Sequence, residues 1–155
     1  MFESIAILVI FFFLIAFGAT IWYGAQKTSL TKDLEQTLAN NALNIALRAT
    51  HSPELDCSLL GVQQQECIDI TKAEQFQTII LQEDARITYF ELFGFSTITL
   101  TQIYPKTAQE SLILYTNLLK NATSTHTTNL PILIQNPTQR TTSFGVLKVQ
   151  TYAKT

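Results

Sequence analysis

The chain has 155 residues and a formal net charge of -2, with 46% hydrophobic and only 14% charged residues. Its Lys and Arg residues are scattered singly, so no basic stripe exists to neutralise phosphates, and this excludes nucleic acid as a partner. Once roughly 25 residues of apolar opening are set aside, about 130 remain, enough for one compact domain.

The first predicted element is a helix that begins "MFESIAILVIFFFLIAFGATIWYGAQK". Its 21 residues from Ile5 to Ala25 carry no charge, and as a helix they rise roughly 31 Å, about one hydrocarbon core. A cleaved secretory signal has a basic start and a shorter apolar run, so the segment reads as retained, with Trp22 and Tyr23 as an interfacial anchor. Orientation is contradictory. Lys27 and Lys32 follow the helix, which by the positive-inside rule would leave the rest of the chain in the cytoplasm. The sequon Asn121-Ala122-Thr123 and a disulfide expected below favour the outside. A short basic leader, cut off on the cytoplasmic side, would reconcile the two.

The helical pattern continues beyond Gly24. Leu30, Leu34, Leu38, Ala42, Ile45 and Ala49 recur at spacings of three and four, with Lys32, Asp33, Glu35, Gln36 and Asn40 on the other faces. The helix is expected to end at His51-Ser52-Pro53, because a residue before proline disfavours the α region. The chain therefore divides into a hydrophobic membrane or filament-core helix over 1–26 and an extracellular α+β head over 27–155 that includes the amphipathic continuation.

A loop, "HSPELDCSLLGVQQQEC", comes next. Nine residues separate Cys57 from Cys67, and closing a loop of that size stabilises a fold by roughly 2–3 kcal/mol in the loop-entropy model. The spacing and the outer location implied by a membrane segment predict a disulfide, the alternative being two free buried thiols. A short amphipathic helix is expected in "ITKAEQFQTIILQE", with Phe76, Ile79 and Ile80 inward. The period then changes to two. "RITYFELFGFSTITLTQIYP" reads as a hairpin turning near Gly94, with Ile98, Leu100 and Ile103 alternating with threonines. "ESLILYTNL" is a third strand candidate, and "LPILIQNPTQRTTSFGVLKVQTYA" a second hairpin through Asn136-Pro137. The expected architecture is α+β: one long helix, one short helix and an antiparallel sheet of about four strands, the amphipathic half of the long helix covering its apolar face.

Nothing in the sequence nominates an active site. There is no G-x-S-x-G, no H-E-x-x-H and no glycine-rich phosphate loop. Glu83 and Asp84 are expected at the solvated end of the short helix, Glu91 on the outward side of a strand, and His51 and His126 in solvated loops. Two cysteines and two distant histidines do not make a zinc-type ligand set. The expectation is a non-enzyme with no cofactor and no metal.

The residues "FESIAILVIFFFLIAFGATIWYGAQ", with a glutamate at the doorway of a membrane-length helix, an amphipathic continuation and a β-rich head, resemble type IV pilin-like subunits, including archaeal pilins and archaellins. That resemblance implies a pilin-like fold, a peptidase that removes a basic leader, residence in the membrane, and then extrusion into a helical filament of copies of the same chain whose apolar helices bundle as its core. Carried over by position, Glu3 and the run from Ile5 to Tyr23, including Leu8, Phe12, Ile15 and Trp22, take on the assembly role. If Met1 is the first mature residue, its amino terminus is the nearest cation for the Glu3 of a neighbouring copy. The other reading is a monomeric, single-pass anchored ectodomain that binds a partner or ligand. Asn121 is the expected glycosylation site, since Asn136 is followed by Pro137.

Overall fold

A computed structural model describes residues 2–59, 62–105 and 111–154, with the backbone alone at 2–6, 25, 27–31, 58–59 and 62–65. The chain divides into two compact units, Met1–Thr37 and Leu38–Thr155. The backbone of helix α1, Phe2–Thr50, belongs to both.

The first unit is helix throughout its described length. In the second unit α1 runs on to Thr50, and the expected stop before Pro53 is present: the His51 N–H bonds to the Leu47 carbonyl at 3.1 Å and the chain then turns. Of the predicted stripe, Ala42 and Ala49 are fully buried and Leu38 nearly so, while Leu34 and Ile45 are half-buried; Ala46, outside that stripe, is fully buried as well. Small side chains at these positions let the helix tail approach its neighbours closely.

Six strands form the sheet: β1 Asp56–Leu59, β2 Val62–Asp69, β3 Ser96–Tyr104, β4 Leu112–Thr116, β5 Ser124–Asn136 and β6 Thr141–Ala153. Two helices, α2 Ile70–Ile79 and α3 Glu83–Phe93, lie between β2 and β3 in the chain. The strand order is β1-β2-β5-β6-β3-β4, with every neighbouring pair antiparallel except β2 and β5. The chain is thus α+β with a mostly antiparallel sheet, compatible with a pilin-like fold.

The long hairpin β5–β6 was legible from alternation, and its ladder runs from Ser124↔Ala153 to Asn136↔Thr141. Its turn is closed by the Gln139 N–H donating to Asn136 Oδ1 at 3.0 Å. Pro131 lies opposite Val146 of β6, ahead of the Leu133–Gln135 stretch that pairs with β2. Alternation also carries the core face: Ile98, Leu100, Ile132, Ile134, Leu147 and Val149 are buried.

Several expectations are corrected. The segment before Gly94 is helix α3 and not the first arm of a hairpin. Ala85, Tyr89 and Phe93 recur every four residues and turn inward, Glu83 and Asp84 sit in the first turn where the helix dipole favours anions, and Gly94 at φ 57° terminates the helix. Glu83 and Asp84 therefore open α3 rather than close α2, and Glu91 is exposed on a helix rather than on a strand. The expected cysteine loop is the hairpin β1–β2, and the described residues form six strands rather than about four. His126 is on β5 opposite Thr151, not in a loop. Phe76 on α2 is buried and Ile80, the residue that caps it, packs against the core, but Ile79 is exposed, as is Ile103 on β3.

The core of the head joins the α1 tail, both short helices and one sheet face. Phe76 meets Tyr89 edge to face at 4.9 Å, Tyr89 stacks on Phe93 at 5.9 Å, and Phe93 meets Tyr115 at 5.4 Å. The Tyr115 hydroxyl is satisfied by the Gly94 carbonyl at 2.8 Å.

Candidate functional site

In the first unit the residues Ile7–Gly24 form a continuous apolar helix with mean hydropathy 2.3, none of it buried within the structure. Eighteen helical residues rise about 27 Å, close to the roughly 30 Å of a hydrocarbon core. Phe11, Phe12 and Phe13 are 60%, 61% and 72% exposed, so consecutive phenylalanines do point all round the helix. The aliphatic hydroxyl within this window turns inward on its own backbone: Thr20 Oγ1 donates to the Phe17 carbonyl at 2.8 Å. That removes the cost of an unpaired donor in an apolar medium.

Of the residues expected to act in assembly, Leu8, Phe12, Ile15 and Trp22 are all exposed on this helix. Their spacings of four, three and seven place them on one stripe. Phe11 and Phe13 are exposed to a similar degree, so the stripe is not set apart from the rest of the surface. Met1 and the side chains of Glu3 and Ile5 lie outside what is described, as do the side chains of Lys27 and Leu30 and all of Gly61.

In the head, the disulfide predicted from spacing is present. Cys57 and Cys67 are bonded, with S–S 1.96 Å and Cα–Cα 5.4 Å, and both are buried. It ties β1 to β2 beside the β2–β5 pairing. An apolar N-terminal helix suggests membrane insertion or a signal, and the disulfide suggests a location outside the cytosol.

Asn121 is exposed on the turn between β4 and β5, in the left-handed region at φ 62°. Two residues on, the Thr123 N–H bonds to the Ala153 carbonyl at 3.0 Å, so the sequon leaves the turn as it joins the sheet.

A polar group gathers where α1 ends. Ser52 Oγ donates to Glu54 Oε2 at 2.6 Å, and Lys72 Nζ donates to the carbonyls of Asp56 at 2.8 Å and Pro53 at 3.3 Å. The Ser52 hydrogen bond holds the Glu54 carboxyl below its ordinary pKa, against the opposing effect of partial burial, with the Tyr89 hydroxyl and the Lys72 charge adding to it. Burial, and then the Glu54 charge, pushes the Tyr89 phenol up. This group joins the end of α1 to α2 and α3. His51 belongs to the helix end too, its Nδ1 lying 2.8 Å from the Leu47 carbonyl oxygen.

One further feature had no signal in the sequence beyond the Asn136-Pro137 turn. A cleft of about 620 Å³ opens between the start of α2 and the β5–β6 turn. Sequence reasoning missed it because its walls come from five elements distant in the chain. Among the described residues no three His, Cys, Asp or Glu side chains gather closely enough to hold a metal ion.

Set against protein-family models, curated proteins and solved structures, the chain matches none of them.

Proposed function

We propose that this chain is a structural subunit of an extracellular, type IV pilus-like filament, held in the membrane before assembly and polymerising with copies of itself through Ile5–Tyr23. The observation that carries this reading is the unburied apolar window Ile7–Gly24, followed without a break in the helix by a tail whose alanines belong to the core of the head. A simple anchor needs no such continuity and would be served by a break after Lys27. Within a bundle of copies, packing between helices decides the arrangement, because lipid already satisfies apolar surface. The same reading makes the head a glycoprotein modified at Asn121, on an exposed turn.

A monomeric anchored ectodomain is the second reading. It is favoured by the head's own core, which closes among the described residues without any neighbour. Negative-stain microscopy of material sheared from cells producing the chain separates the two. Thin filaments whose tryptic peptides come from this chain are the expected result. Chain that stays wholly in the membrane fraction as a monomer, with no filaments on any cell, would sink the first reading and leave the second.

A further inference from the structure

We propose that the cleft between α2 and the β5–β6 turn is a binding site for a neutral oligosaccharide. Its volume of about 620 Å³ falls in the range of small-ligand sites. Leu100 and Ile134, both part of the core, make its floor. Gly145 sets the depth of that floor: a Cβ there would collide with the Ile134 side chain and lie 2.7 Å from the Thr101 carbonyl oxygen, so Ile134 rests directly on the β6 backbone.

The walls are polar and almost uncharged. Glu74 stands on one side, and Asn136, Gln139, Thr141 and Ser143 on the other. Among the described residues the side chains of Glu74, Gln139, Thr141 and Ser143 make no hydrogen bond within the chain. Asn136 spends its carbonyl oxygen on the Gln139 N–H, which leaves its amide N–H groups to donate. Among the described residues no Lys, Arg or His lines the cleft. Among the described residues a phosphate, sulfate or carboxylate entering the cleft would meet the Glu74 carboxylate and no cation, and its desolvation would go uncompensated there. Sugar hydroxyls both donate and accept. Amides and hydroxyls answer both roles, a carboxylate accepts from a pair of adjacent hydroxyls, and an apolar floor suits the C–H face of a pyranose ring. The walls therefore select for a neutral, hydroxyl-rich ligand. This inference does not depend on whether the chain polymerises.

The test uses the full chain in lipid nanodiscs, since a maltoside detergent would itself present a disaccharide. It is passed over a printed array of neutral and anionic glycans, and the neutral glycan retained best is titrated by calorimetry. The double variant Gln139→Ala with Thr141→Ala is expected to bind it about tenfold more weakly or worse. Glu74→Gln, which keeps the wall's shape, should also weaken it, while Lys148→Ala on the opposite face of the sheet should not. Retention of no glycan, retention of anionic glycans alone, or unchanged affinity in both cleft variants would overturn the assignment.

Discussion

Ser52 and Glu54 show how much one hydroxyl can do at the end of a helix. Because the native pKa of Glu54 is lowered, its contribution to stability is fully present above the ordinary carboxylate range and is lost as pH falls through the native value. Ser52→Ala removes the leading cause. The expected outcome is a Glu54 pKa that rises toward the ordinary value in an NMR titration, with less stability lost on acidification than in the parent chain; an unmoved pKa would mean that Tyr89 and Lys72 suffice. Glu3 poses a different question at the same scale. In a lone anchor its carboxylate sits at the membrane edge and matters little. In a bundle an unpaired carboxylate is penalised by several kcal/mol, and the amino terminus of a neighbour would neutralise it and set the stagger between copies. Glu3→Ala is therefore expected to leave membrane insertion intact while lowering the yield or regularity of filaments. Filaments of parental yield and symmetry would make Glu3 an ordinary interfacial residue.

At the scale of elements, the apolar window and the sheet answer to different forces. A charge in the middle of Ile7–Gly24, such as Phe12→Asp, costs roughly 2.5–3.5 kcal/mol on the insertion scale. Membrane fractionation and microscopy should both fail for that variant, and normal filaments would show that another surface holds them together. The elements also mark where sequence reasoning works. Helix α1, its stop before Pro53, β4 and the β5–β6 hairpin were legible because each rests on periodicity or on proline within the element itself. Helix α3 was not. Ile87, Thr88, Tyr89, Phe90 and Phe93 are residue types that suit a strand, while the deciding stripe of Ala85, Tyr89 and Phe93 emerges only once their burial is known. The pairing of β2 with β5 joins residues more than sixty positions apart, and no local pattern records it. The cleft is illegible for the same reason.

The whole head is held by one cross-link and one core. Alkylation of native protein without reductant, followed by intact-mass measurement, should find no free thiol, and two alkylated cysteines would contradict the Cys57–Cys67 bond. Replacing both cysteines by serine should cost about 2–3 kcal/mol, read as a lower midpoint of unfolding in denaturant.

A helix whose backbone belongs to two units is also a cable. Tension applied to the apolar segment enters the head through Leu38–Thr50. What resists it there is friction between surfaces: three fully buried alanines, the Thr151 hydroxyl on the Leu38 carbonyl at 3.4 Å, and Arg48 reaching the Leu92 carbonyl at 3.3 Å. Close fit supplies the grip, so loosening the fit should loosen the hold. Ala46→Leu forces extra carbons into a position with no exposed surface, at a cost of about 1–3 kcal/mol. Pulled in an optical trap by its two ends, that variant should yield at lower force than the parent chain. A parental rupture force would place the resistance in the sheet ladder instead.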